Sequence, residues 1–431
     1  MKDDFLAPET KNLLKEIILS YQKKRESSLQ KQGFSKKELQ EKARLMRQKT
    51  FENFEENLKK AIGNLEKRGF IVHLVQDSQE AQKRLLEIIE NERAIVKSKS
   101  NVGREVGINQ LIKEISSQEG FFSPETDLGD FLVDIMKEED LHYVLPALHI
   151  DPEDISRRIK TLWQDEVAPD PQELTSYLCQ KIRENILRAR IGISGVNFFT
   201  RKGECLLLEN EGNISLISRL PQKHIMIGSV DKLVSSLEEG IFLCQAAAIF
   251  GTGQEITQYI SVINGPSKTA DIQNELVVGA QGAKEVHLIL VDNGRTKMIE
   301  SGFKEALLCI GCGACLNFCP VYHQMGNRYG GDYIGSRGIV MKAFQKNDPI
   351  ESLKAAKEGG SFNCTLCGVC HENCPLRIDL PALVRKVREK QHRENIQTST
   401  NQEMIEKVTK TGNPFGEKGE DQEIPDKLFC C

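Results

Sequence analysis

The chain has 431 residues, with 58 Lys plus Arg against 62 Asp plus Glu and a formal charge of −4. That length holds two or three domains, and the near balance of charge gives no electrostatic footing for nucleic acid as the main partner. The apolar stretch Ile241–Phe250 is ten residues long and broken by Gln245, about half of the ~20 that a transmembrane helix needs. The opening MKDDFLAPET lacks an apolar signal core, so a cytoplasmic protein with no transmembrane segment is expected.

Residues 1–60 read as a charged helical arm. Leu13, Leu14, Ile17, Ile18 and Tyr21 recur at helical spacing, and their stripe packs the arm onto its own domain or onto a partner. Residues 61–297 read as one α/β domain. Strands are expected at 70–75, 94–96 and 143–148, and helices at 81–90 and 107–115. Pro152 after Asp151 starts another helix, and 172–190 forms a long one with Leu174, Leu178, Ile182, Ile186 and Leu187 on one face. From 191 onward strands dominate, at 191–199, 205–208, 214–218, 225–227, 259–263 and 286–291, with a helix at 231–249. Strands alternating with helices imply a sheet covered on both faces. Residues 298–395 form a unit organised by cysteines, and 396–431 read as a polar, mobile tail.

Eight of the thirteen cysteines lie between Cys309 and Cys374. Clustered thiols in a cytosolic chain point to metal or redox chemistry rather than disulfides. Cys309, Cys312, Cys315, Cys319 and Pro320 fit C-x2-C-x2-C-x3-C-P, and Cys364, Cys367, Cys370, Cys374 and Pro375 fit it again. This is the bacterial ferredoxin signature for two [4Fe–4S] clusters. Three thiolates two residues apart wrap one cluster from a tight turn, and Gly311, Gly313, Ala314, Gly368 and Val369 leave room for it. The fourth cysteine lies beyond the turn and reaches the neighbouring cluster. The expected ligands are therefore Cys309, Cys312, Cys315 and Cys374 for one cluster, and Cys364, Cys367, Cys370 and Cys319 for the other. Zinc would leave the third cysteine and the proline of each run unexplained. Cys367, Cys370 and His371 match the c-type haem string, but Cys364 and Cys374 complete the iron–sulfur pattern. Helices expected at 337–344 and 350–357, and one capped by Asp379 with Pro381 in its first turn, make this unit resemble an α-helical ferredoxin.

The strings SKSNVGREVGI (98–108), ETDLGDF (125–131), LPALH (145–149), GISGVNF (192–198), LLLENEGN (206–213), LPQKHI (220–225) and LVDNGR (290–295), followed by CIGCGACLNFCPVY (309–322), resemble the LUD domain and the lactate-utilisation protein B family. The resemblance spans roughly residues 50–395. It implies an α/β fold with a mixed sheet like that of ribose-phosphate isomerases and CoA-transferases. It further implies an iron–sulfur electron-transfer subunit of a multi-protein system that oxidises L-lactate to pyruvate, with a cysteine-rich redox subunit and a second LUD protein as partners. A protein serving glycolate or another 2-hydroxy acid would carry the same strings. TGNPFG (411–416) resembles the lead into a cysteine-rich domain, but only Cys430 and Cys431 follow.

Lys99 and Ser100 follow a strand and precede a helix, while Asn197 and Glu209 fall at strand ends. These four form a candidate anion pocket; the plainer reading is that they cap and turn a retained fold. A pocket holding the hydroxy or keto acid would make the domain an enzyme, and a non-redox scaffold kept rigid by its clusters is the third possibility. Gly251-Thr-Gly253 lacks the third glycine of a dinucleotide fingerprint, and there is no Walker loop. His149 and His224 are expected to be structural. Cys179, Cys205 and Cys244 read as inert buried thiols.

Overall fold

The computed structural model describes residues 6–116, 123–138, 140, 142, 145–331, 333 and 335–415. Eleven strands occur among them: β1 Ile71–Val75, β2 Ile95–Lys97, β3 Ile191–Gly195, β4 Phe198–Thr200, β5 Cys205–Glu209, β6 Lys223–Ser229, β7 Leu233–Val234, β8 Tyr259–Ile263, β9 Lys268–Thr269, β10 Val277–Val278 and β11 Glu285–Val291. A five-stranded sheet runs β1-β11-β6-β3-β2, and all its pairs are parallel. A second sheet, β7-β4-β5-β8, mixes parallel and antiparallel pairs; β9 and β10 form a separate antiparallel pair. The expected mixed pairing is thus concentrated in the second sheet. The single strand expected at 191–199 is two strands, one in each sheet, parted by Val196 and Asn197.

Alternation along the parallel strands sorts their side chains onto two faces. Ile225, Ile227, Ile289 and Val291 join one core with the helices Ser78–Ile89 and Ile108–Ser116. Met226, Leu288 and Leu290 join the other core, which continues without a break through the N-terminal helices into the cysteine unit. A third core forms where the helices Leu128–Met136, Pro152–Trp163 and Pro171–Arg188 pack together. Proline in the first turn and an aspartate cap start the last two: Asp151 accepts from Glu153 N–H, and Asp170 from Gln172 and Glu173 N–H.

The N-terminal arm is three helices, α1 Pro8–Lys31, α2 Lys36–Thr50 and α3 Phe54–Arg68, so the third crosses position 60. A capping box of Ser35 and Glu38 starts α2. Of the expected stripe, Leu14 and Ile18 are buried while Leu13 is exposed.

Several local expectations are corrected. Residues 214–218 are not a strand: Asn213–Ile217 is a helical turn. Its apolar run is buried at Ile214 and Ile217, three residues apart, and Glu209 fixes its start by accepting Ser215 N–H at 2.9 Å. Of the strand expected at 143–148, the described part, 145–148, has no strand and is mostly turn. The helix expected at 107–115 is Ile108–Ser116, and a further short helix, Asn101–Glu105, precedes it. The 231–249 helix begins only at Leu237, after a 3-10 turn at Val230–Lys232. In the C-terminal segment Ser399–Thr411 is helical with no buried residue; Cys430 and Cys431 lie outside the described residues.

Residues 304–393 carry only helices and turns among the described residues, including Gly335–Lys342, Pro349–Glu358 and Leu380–Arg393. Asp379 accepts Ala382 N–H at 3.0 Å, with proline in the first turn.

Candidate iron–sulfur site

The two cysteine runs build the same backbone twice. In the first, Gly311 and Gly313 take positive φ and Ala314–Asn317 winds into a helical turn. In the second, Leu366 and Gly368 take positive φ and Val369–Glu372 does the same. The turns gather the thiols into two groups. Cys309, Cys312, Cys315 and Cys374 line one small apolar cavity. Cys319 and Cys370 each lie in electrostatic reach of Cys364 and Cys367. The groups adjoin through Cys315 and Cys370.

Backbone N–H groups point at the sulfurs. Gly311 donates to Cys309 Sγ at 3.3 Å, Tyr322 to Cys319 Sγ at 3.5 Å and Leu376 to Cys374 Sγ at 3.4 Å. Burial, together with the neighbouring thiols, pushes Cys374 up to about 11 and Cys370 up to about 12, and raises Cys312, Cys315 and Cys319. Such thiols ionise at neutral pH only when a cation binds them, which is the linkage that iron supplies. Among the described residues no group of three or more His, Cys, Asp or Glu has the geometry of a single-ion site. Two four-thiol groups with N–H donors aimed at sulfur fit a pair of iron–sulfur clusters.

The chain entering the first run is gripped by buried cations. Arg337 Nε donates to Ala306 O at 3.1 Å, Arg47 Nη2 to Leu307 O at 2.9 Å, Arg47 Nε to Leu308 O at 3.1 Å and Lys232 Nζ to Cys309 O at 2.8 Å. Four consecutive carbonyls are thus satisfied by side chains from α2, the α/β domain and the helix Gly335–Lys342. Burial brings Arg47 down to about 10. Behind them, Arg295 donates to both oxygens of Glu105 at 2.8 and 2.7 Å and to Asp231 Oδ1 at 2.5 Å. Burial works against the Asp231 carboxylate, but Arg295, Lys232 and Arg337 together hold it far below the usual carboxylate range. Sequence alone does not single out this network: Glu105 and Arg295 lie in two of the strings that carry the resemblance, but nothing local links them to each other or to Asp231.

The helix Leu237–Thr252 also meets the first run. A Cβ on Gly251 would stand 2.5 Å from Cys312 O, and Asn317 Nδ2 donates to Gly251 O at 2.9 Å. The α/β domain therefore touches the first thiol loop backbone to backbone.

The candidate pocket residues surround two adjoining cavities of about 280 and 210 Å³, each bordered by Lys99, Asn197, Ile310 and Gly311. Ser100 lines one and Glu209 the other. Their polar atoms are engaged: Lys99 Nζ with Asp130 at 3.2 Å, Ser100 Oγ accepting Gly103 N–H at 3.0 Å, Asn197 Oδ1 accepting Leu208 N–H at 2.9 Å, and Glu209 with Ser215. The structure thus brings the four to one place beside the first cysteine loop and also gives each a capping or tethering role.

His224 is buried, with Nε2 2.8 Å from Ser194 Oγ, and burial lowers it to about 3. Cys205 and Cys244 are buried as expected, whereas Cys179 is exposed, because it lies one residue past the inward face marked by Leu174, Leu178 and Ile182.

The fold and the paired thiol groups define a class: an α/β domain docked on a ferredoxin-type unit. Comparison with known proteins agrees with this. Residues 58–291 match the LUD domain, and residues 305–378 match the 4Fe-4S dicluster domain. Proteins called lactate utilization protein B from Bacillus thuringiensis, Bacillus cereus and Bacillus anthracis are 34% identical over 349 residues, covering 80% of this chain and 70% of theirs. A crystal structure of a DUF162 family protein from Deinococcus radiodurans, 13% identical, aligns with 55% of this chain and 96% of its own at a TM-score of 0.30. The chain belongs to the LUD-domain family, in its lactate utilization protein B branch. Among the described residues no helix is long and apolar enough to cross a membrane.

Proposed function

We propose that this protein is the iron–sulfur electron-transfer subunit of a multi-protein system that oxidises L-lactate to pyruvate in the cytoplasm. Its partners are a cysteine-rich redox subunit and a second LUD protein. Cys309, Cys312, Cys315 and Cys374 hold one [4Fe–4S] cluster, and Cys364, Cys367, Cys370 and Cys319 hold the other. Bound there, the clusters supply one-electron redox chemistry; the chain's own residues bury them, aim N–H donors at their sulfurs and set them side by side. The observation that carries this reading is the gathering of eight thiols into two adjoining groups of four. Cys367 is exposed and Cys312 is not, so the second group is the port toward a redox partner.

One observation favours a second reading, in which the α/β domain binds the hydroxy or keto acid itself: the cavities at Lys99 and Asn197 border Gly311. Two assays separate the possibilities. The purified holoprotein is mixed with L-lactate and an artificial acceptor, alone and with an extract of cells lacking it. The electron-transfer reading expects turnover only with the extract, and none with Cys374→Ser. Turnover by the chain alone favours the enzyme reading; full restoration by the cysteine variant favours a scaffold.

A further inference from the structure

Buried polar groups are normally paired, and an unpaired one calls for an explanation. Arg337 is 1% exposed. Its Nε serves Ala306 O at 3.1 Å, and its Nη2 stands 3.5 Å from Asp231 Oδ2. Its guanidinium lies 4.2 Å from the centre of the Tyr333 ring. Its Nη1 is buried and has no partner among the described residues. The same side chain lines the cavity bounded by Cys309, Cys312, Cys315 and Cys374. A donor left over on one side and a ring of sulfurs on the other are complementary.

The charge balance points the same way. Arg47, Lys232, Arg295 and Arg337 are all buried around two buried carboxylates, Asp231 and Glu105. Among these six groups beside the first cysteine loop the cations outnumber the carboxylates by two. Burying unbalanced charge is costly, and an anionic group in the adjoining cavity offsets that cost. A four-thiolate cluster is anionic and becomes more so on reduction, so a nearby desolvated cation favours the reduced form.

We propose that Arg337 is a positioning residue for the first thiol group: its free Nη1–H serves the cluster in the Cys309, Cys312, Cys315, Cys374 cavity and holds it at a higher reduction potential, without acting on the second group. The second group has its own cation, Arg388, which donates to Cys364 O at 2.5 Å and Ser361 O at 2.8 Å. The inference rests on the two-cluster reading above.

The test is an anaerobic redox titration of the full chain, followed by electron paramagnetic resonance, with iron counted on the same samples. In R337Q one of the two reduction waves falls by about 59 mV, a tenfold change in a one-electron equilibrium, and the other stays in place. R337K recovers part of the shift. K232Q, which removes the cation on Cys309 O, lowers the same wave by less and serves as the readout should R337Q lose iron. Normal iron with neither wave moved in R337Q or K232Q, or with both waves moved equally, overturns the role of Arg337 and leaves the two-cluster reading standing. Absence of iron from the unmutated chain overturns both.

Discussion

The two cysteine runs share one spacing and one backbone but not one environment. The first lies beneath the α/β domain: three buried cations hold the four carbonyls 306–309, and Gly251 presses against Cys312 O. The second faces outward: Cys367 is exposed, and a Cβ on Gly368 would meet nothing within 4 Å. Spacing fixes how thiols are gathered, because it sets local backbone geometry. Surroundings fix what the gathered group does, because potential and access depend on charge and burial contributed by distant parts of the chain.

The largest effect that sharpens this contrast comes from the fourth cysteine of each run. Cys374→Ser is expected to cost the first group its cluster and Cys319→Ser the second, each leaving about four of eight irons. Loss of the other wave in either variant would show that ligation is not crossed. Next is Asp231→Asn, which leaves the cations of the first run with a single carboxylate. It is expected to destabilise the protein by about 3–5 kcal/mol in denaturant titrations, and a change under 1 kcal/mol would mean that the network is not a structural keystone.

A smaller effect is expected at His224. Burial, with Arg219 nearby, lowers its folded pKa to about 3, against 6.5 for the ordinary side chain. The unfolded chain takes up a proton that the folded one refuses, so stability is full above pH 6.5 and is lost as the pH falls toward 3. The slope approaches about 1.4 kcal/mol per pH unit. His224→Asn should lack this component when the two proteins are titrated between pH 7 and 5. The smallest effect separates the two loops themselves. Gly311, at φ 75°, corresponds in spacing to Leu366 at φ 56°. Gly311→Ala is expected to cost about 1 kcal/mol from backbone strain alone, since the nearest atom to its Cβ, Asn101 Nδ2, stands at an ordinary 3.5 Å.

Much of the molecule was legible in the sequence where the signal is local. The cysteine spacing, the Asp379 cap and the alternating α/β pattern each depend on residues a few positions apart. The segment 214–218 misled because a short apolar run fits strand and helix equally, and Glu209 with the packing of Ile214 and Ile217 decided between them. The charge network was not legible as a network. Arg47, Glu105, Asp231, Arg295 and Arg337 come from five separate parts of the chain, and each alone reads as an ordinary surface charge. Lys99, Ser100, Asn197 and Glu209 do meet around common cavities, but nothing in their spacing revealed that Gly311 would close one side.

The most direct measurement is the iron and acid-labile sulfide content of protein purified without oxygen, joined to electron paramagnetic resonance after reduction. About eight irons and eight sulfides per chain, with signals from two interacting [4Fe–4S] centres, are expected. Zinc in place of iron, no sulfide and no signal on reduction would contradict the account at its base.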